Sequence, residues 1–248
     1  MSSVPANWTR WTICTLSVAL AACVPAQRAG IPVRWIESPN FDDRKPQFVI
    51  IHHTSDDTVE QALGTLTDRA RAVSAHYLIA RDGTVTQLVR ERDRAWHAGA
   101  SKWGALTDMN SASLGIELDN NGREPFPDVQ ISALIDLLTD IQERLHVPGT
   151  NVLGHADVAP RRKVDPSVYF PWKTLAAHGF GRWCDSPLPS APASFDVALG
   201  LQTLGYDVSD VEAAIMAFKR HFLADDSSPV IDETGRAVLQ CLIRQASH

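Results

Sequence analysis

The hydrophobic period of this chain switches repeatedly between two and 3.6 residues, which restricts it to a sheet with helices packed on it. QFVIIHH (47–53) is apolar and β-branched, as a buried strand requires. From Asp57 onward, Val59, Ala62, Leu63, Leu66 and Ala70 recur at helical spacing, with Asp56 to Thr58 available as caps. SAHYLIA and TVTQLVR then flank RDGT, and an Asp-Gly between strand-like runs predicts a hairpin. SLGIELD (113–119) predicts a further strand. Ile131, Leu134, Ile135, Leu138, Ile141 and Leu145 mark a long amphipathic helix that starts near Pro127 and Asp128. The expected fold class is α/β: a mixed central β-sheet flanked by helices.

Breaks in composition divide the chain. Asp185–Ser194, DSPLPSAPAS, carries three prolines in ten residues and predicts a stiff linker at 185–194. It separates a domain at 41–184 from a small one at 195–248. The small one reads as three short helices, with Leu199, Leu201, Leu204 and Tyr206 on the first. Val211, Ala214, Ile215 and Phe218 mark the second, capped by Ser209 or Asp210. A net charge of −6 with no basic block argues against a nucleic-acid partner.

The N-terminus is of another kind. Trp11–Ala22 is uncharged but too short to span a bilayer, which takes about 20 apolar residues. Residues 1–22 read as a secretory signal peptide. LAAC (20–23) resembles a bacterial lipobox, whose cysteine is lipidated and becomes the new N-terminus. That implies an anchor at Cys23, where several acyl chains hold better than one, with a tether over 23–40. Val24 follows the cysteine, not Asp, which points to the outer membrane. Export places Cys184 and Cys241 in an oxidising compartment. A disulfide between them and two separate buried thiols both fit the sequence.

Three segments carry residues able to do chemistry. In a strand, neighbours point to opposite faces, so Phe48, Ile50 and His52 share one face and Val49, Ile51 and His53 the other. One strand is therefore not expected to aim both imidazoles at one metal. LGHADVAPRRKVDPS (153–167) adds His155, Lys163 and Asp165 on a proline-fixed loop. Two histidines and a carboxylate from distant segments make three ligands with a fourth position open, the pattern of a catalytic zinc site. In SLGIEL, Ser113, Gly115 and Glu117 share the face opposite Leu114, Ile116 and Leu118. The two small residues are expected to leave room for a ligand over that face. Beside a metal, a Glu is the natural general base.

The ordered set VIIHHT, SAHYLIARDGTV, AWHAG, LGIEL and GHADVAPRRKVDP resembles the zinc-dependent N-acetylmuramoyl-L-alanine amidases of the amidase-2 type. That superfamily includes phage T7 lysozyme and the peptidoglycan recognition proteins, and the match covers about residues 31–180. The resemblance implies one zinc ion per chain, held by His52, His155 and Asp165. It implies Glu117 as acid and base, and Lys163 as the cation that stabilises the oxyanion. It places His76 near the zinc cleft, and Trp96 and His97 on a groove for sugar or peptide, with packing as the other reading. Asn110 is a weaker candidate for the same cleft. The implied reaction is hydrolysis of the amide between N-acetylmuramic acid, or its 1,6-anhydro form, and L-alanine. The implied partners are peptidoglycan, muramyl-peptides and, through the lipid anchor, the membrane; a monomer is expected. The alternative is a non-catalytic peptidoglycan-binding lipoprotein, but all three ligands and Glu117 are present. The C-terminal LQ…LGY…AFKRHF progression resembles the type 1 peptidoglycan-binding domain.

Overall fold

The structure is a computed structural model that describes residues 30–246 apart from 37, 40, 44, 45 and 193. The expected signal peptide, the lipidation site Cys23 and residues 23–29, 37 and 40 of the expected tether lie outside the described residues, while Arg34–Trp35 of that segment pairs in the sheet. Among the described residues, no helix is long and apolar enough to cross a membrane.

The strands are β1 (Arg34–Trp35), β2 (Phe41–Asp43), β3 (Phe48–His53), β4 (Tyr77–Ile79), β5 (Val85–Gln87), β6 (Asp93–Ala95), β7 (Ser113–Leu118) and β8 (Val152–Gly154). Six of them form one sheet in the order β1-β5-β4-β7-β3-β8, and β2 pairs with β6 apart from it. Only the β4–β5 hairpin is antiparallel in the large sheet, so the sheet is mixed, as expected. The helices are α1 (Val59–Thr67), α2 (Met109–Ala112), α3 (Asp128–Leu145), α4 (His155–Val158), α5 (Trp172–Ala177), α6 (Val197–Leu204), α7 (Val211–Phe222) and α8 (Glu233–Ala246).

Strand parity determines which face does what. Val49, Ile51, Leu114, Ile116 and Leu118 point to one side and form the main core with Ile131, Leu134, Leu138 and Ile141 of α3. Gln130 at the start of α3 is buried, and its Nε2 donates to the carbonyls of Ile79 and Asp119. It thus ties the helix to the ends of β4 and β7. The opposite face carries Ile50, Ala98, Met109, Leu153 and Val158, and then opens toward polar residues. Glu91 is buried on the α3 side, where Arg144 grips it with two hydrogen bonds of 2.7 and 2.8 Å and Tyr77 donates at 2.6 Å.

Two local expectations are corrected. Ala70 is not in α1: Asp68 turns extended, its side chain accepts from the Ala70 N–H at 2.9 Å, and a separate turn of 3-10 helix follows. Tyr206 is not on α6, which ends at Leu204 with Gly205 as its cap; it fills the core with Leu201, while Leu199 on the helix is 60% exposed.

α6, α7 and α8 surround a second core built on Leu201, Tyr206, Phe218, Leu239 and Leu242. Ala156 of α4 is part of that core, and Trp103 packs on it. The helical unit is therefore seated on the sheet-bearing part. Cys184 and Cys241 form a disulfide that joins the segment before the proline-rich stretch to α8.

Candidate metal centre and active site

β3, β7 and β8 run parallel side by side, so their C-terminal ends lie on one edge of the sheet. His52 is the next-to-last residue of β3, and its register partner on β7 is Glu117. His155 begins α4 directly after β8. Asp165 is brought in by the loop after α4, where the Ala156 N–H donates to the Asp165 carbonyl at 2.8 Å.

The three side chains converge. His52 Nδ1 lies 2.9 Å from His155 Nδ1 and 3.2 Å from Asp165 Oδ2, and His155 Nδ1 lies 3.0 Å from the same oxygen. Ligand atoms around a tetrahedral zinc with bonds of about 2.0–2.1 Å stand about 3.3 Å apart. The triangle is close to that size, and all three residues are buried. Protonation states also suit a cation, which needs neutral imidazoles and an ionised carboxylate. Burial, aided by the neighbouring His155, lowers His52 to about 4. Burial pushes the Asp165 carboxyl up, but hydrogen bonds and charge from His155 and His52 outweigh it and hold it well below the usual range.

Partners behind the ligands fix the ring orientations. His155 Nε2 lies 3.2 Å from the Ala98 carbonyl, so it carries the proton and leaves Nδ1 free to ligate. His52 Nε2 lies 3.1 Å from His97 Nδ1, and His97 Nε2 lies 3.4 Å from Ser113 Oγ. With His52 Nδ1 turned toward His155 and Asp165, each ring in this relay donates from Nε2. The backbone N–H groups of His97 and Ala98 both donate to Asn110 Oδ1, at 3.0 and 2.7 Å.

This revises three expectations. His97 supports His52 from behind as well as bordering the cleft. Gly115 does not leave ligand space: a Cβ there would strike the His97 ring, so the glycine seats that ring. His76 is fully buried, packs behind His97 with 5.7 Å between ring centres, and has both nitrogens on backbone groups, Asp93 O and Gly115 N. It does not line the cleft. His53 points the other way from His52, as parity requires, and its Nδ1 accepts from the Ser167 N–H at 3.2 Å.

The triangle opens into a cleft of about 250 Å³ walled by Trp96, Glu117, Lys163 and Arg71, among others. Arg71 gave no sequence signal, since it lies at the end of an irregular turn. Glu117 Oε1 is 4.0 Å from His52 Nδ1, and its Oε2 has no hydrogen-bond partner. Burial, then the charge of Asp165, raises its carboxyl to about 8. A second lobe of about 460 Å³ continues past Trp96 and His97 toward Arg94 and Arg162.

The family model described as N-acetylmuramoyl-L-alanine amidase matches residues 42–168, a span that contains every residue of this site. The chain belongs to this amidase family. The N-acetylmuramoyl-L-alanine amidase AmiD of Escherichia coli is 37% identical over 231 residues, covering 79% of this chain and 82% of that protein. The 1,6-anhydro-N-acetylmuramyl-L-alanine amidase AmpD of Haemophilus influenzae is 35% identical over 162 residues, covering 56% and 88%. The solved complex of the E. coli AmiD with anhydro-N-acetylmuramic acid-L-Ala-D-gamma-Glu-L-Lys superposes with a TM-score of 0.71 at 34% identity, over 88% of this chain and 93% of that one. AmpDh3 of Pseudomonas aeruginosa with anhydromuramic pentapeptide gives 0.73 at 29% identity, over 82% and 93%. Both superpositions with bound ligand thus extend beyond the span of the family model.

Proposed function

We propose that this amidase hydrolyses the bond between the lactyl carbonyl of N-acetylmuramic acid and L-alanine in peptidoglycan fragments, with 1,6-anhydro-muramyl peptides among its substrates. The convergence of His52, His155 and Asp165 beside Glu117 carries the reading. The muramyl-peptide ligands of the two related structures support the substrate class. His52, His155 and Asp165 would hold one zinc ion, which when bound supplies the Lewis acidity that activates water at neutral pH. Glu117 takes a proton from the attacking water and returns it to the alanine nitrogen as the amide C–N bond breaks. Its partly buried carboxyl, whose Oε2 is buried with no hydrogen-bond partner, suits both halves of that transfer. Lys163, on the cleft wall, balances the negative charge that develops on the carbonyl oxygen. Trp96 offers an aromatic wall for the sugar or the first peptide residues. Mass spectrometry of muramyl-peptides incubated with zinc-loaded protein should show stem peptides with a free N-terminal alanine. Intact substrate after prolonged incubation would leave the wall-binding alternative in place.

The same reading extends to the rest of the chain. The LAAC motif supports lipidation of Cys23 and attachment to the periplasmic face of the outer membrane. Fatty-acid labelling that survives Cys23→Ser would contradict it. The LGY segment at the end of α6 and the AFKRHF segment on α7 support wall binding by the helical unit, to be measured by co-sedimentation with insoluble peptidoglycan.

A further inference from the structure

α4 is four residues long and begins with a metal ligand, His155. So short a helix does not hold its own geometry in water. Its orientation must come from outside, and Asp157 is the point of attachment. Asp157 is buried, and its carboxylate accepts three hydrogen bonds. Oδ2 accepts from the Gly154 N–H at 2.7 Å and from His221 Nδ1 at 2.7 Å, and Oδ1 accepts from Tyr206 Oη at 2.6 Å. Only the first donor belongs to the sheet-bearing part. The other two come from the C-terminal helical unit: Tyr206 follows α6, and His221 is on α7.

Both donors are themselves held. Tyr206 and His221 are 2% and 5% exposed. Trp172 stacks on the His221 ring at 3.7 Å, and Trp103 meets Tyr206 edge-on at 5.0 Å. The Gly104 N–H donates to the Gly205 carbonyl at 2.7 Å, and a Cβ on Gly205 would strike Trp103 at 2.6 Å. The segment Gly154–Ala156 is thereby clamped from two sides. Ala156 bonds to the backbone of Asp165, and Gly154 is tied through Asp157 to the helical unit.

We infer that the C-terminal helical unit sets the position of His155, with Tyr206 and His221 acting through Asp157 as positioning residues of the metal centre. This rests on the metal-centre reading above. It gives the helices a part in the reaction that is separate from wall binding. The physical reason is the buried charge. Without Tyr206 Oη the buried Oδ1 has lost its donor, and without His221 Nδ1 the buried Oδ2 keeps only the Gly154 N–H, so the carboxylate is left with its charge undercompensated. It shifts to recover a partner and takes the Gly154–His155 backbone with it. Ligand sets tolerate displacements of only a fraction of an ångström.

The test uses the full chain. Zinc affinity is read by competition with a chromogenic chelator, beside urea denaturation of the chelated protein. Tyr206→Phe keeps the ring and removes the hydroxyl; zinc should bind about tenfold more weakly, as is typical when support behind a ligand is lost. kcat should fall with KM unchanged. His221→Leu should lose zinc affinity to a similar extent. His221→Asn keeps a donor near the Nδ1 position and should bind zinc within about twofold of wild type. Leu239→Val trims the helical unit's own core and should lower stability while leaving zinc affinity unchanged. Wild-type zinc affinity in Tyr206→Phe and His221→Leu would overturn the inference, because the contact would then be glue between two parts. So would an equal loss in Leu239→Val, which would trace the effect to loosened docking in general. Wild-type protein that binds no zinc would overturn the metal-centre reading and this inference with it. Zinc binding without cleavage of muramyl-peptides would overturn the proposed reaction alone, and the affinity comparison would still decide the positioning role.

Discussion

Glu117→Gln separates the electrostatic state of the metal centre from its catalysis. In the metal-free protein the Glu117 carboxyl is raised from 4.5 to about 8, chiefly by burial. The folded state therefore binds a proton that the unfolded chain releases above about pH 4.5. A group raised in this way makes stability fall as pH rises, between the unfolded value and the folded one. The full interval corresponds to about 5 kcal/mol. Linkage distributes the loss as about 2 kcal/mol at pH 6 and about 4 kcal/mol near pH 8, with none below about pH 4. Gln carries no charge to suppress, so Glu117→Gln should lack this slope.

Urea denaturation of chelated protein, wild type against Glu117→Gln, reads it out at pH 4.5, 6 and 8. An amide placed where Glu117 Oε2 has no partner costs a constant amount. Only the change with pH in the difference between the two proteins counts. Glu117→Gln should gain on wild type as pH rises, by several kcal/mol between the extremes. A bound cation favours the carboxylate, so zinc should remove most of that gain. The substituted protein should keep zinc and lose turnover. Parallel stability curves across the pH range would refute the burial argument, and loss of zinc in Glu117→Gln would show Glu117 to be a ligand.

Other consequences follow from the same geometry. His52→Ala should abolish zinc binding after dialysis while His53→Ala largely spares it, because only His52 faces the triangle; the reverse would shift the register of β3 by one residue. Lys163→Met should lower kcat by about a hundredfold, the usual cost of losing one stabilising group at a developing charge, with zinc content unchanged; a change confined to KM would reassign it to substrate binding. Arg144→Met should destabilise the fold by about 3–5 kcal/mol in denaturant, since it takes the guanidinium charge and two hydrogen bonds from the buried Glu91 carboxylate; a loss under about 1 kcal/mol would mean that water reaches Glu91.

The faces of β3 and β7 were legible because parity is local. Phe48, Ile50 and His52 on one side, and Leu114, Ile116 and Leu118 on the other, lie where alternation puts them. α3 was legible because its apolar stripe is long and has one partner. The errors fell where a distant group overrides a local pattern. Asp68 ends α1 by turning its own backbone and capping Ala70, although the apolar spacing continues to that residue. Gly115 read as open space because smallness is visible in sequence and the ring that fills it is not; His97 arrives from 18 positions earlier. Asp157 gave no signal, since its donors lie 49 and 64 residues ahead.

What the sequence could not supply was the order of the strands, and that order makes the site. Parity places His52 and Glu117 on the same kind of face without saying that they are neighbours. They meet because β7 lies directly beside β3 and pairs them in register. β8 lies on the other flank of β3, running parallel, and delivers His155 at the same edge. Three parallel strands side by side end together, and an open sheet offers its binding crevice at those carboxyl ends. An antiparallel neighbour in place of β8 would send the following loop to the opposite edge. Asp165 would go with it, because its backbone is bonded to Ala156 just beyond that strand. The candidate metal centre is thus a property of strand direction first and of side-chain identity second, which is why HADV and KVD take on meaning only once β8 is known to run alongside IIHH.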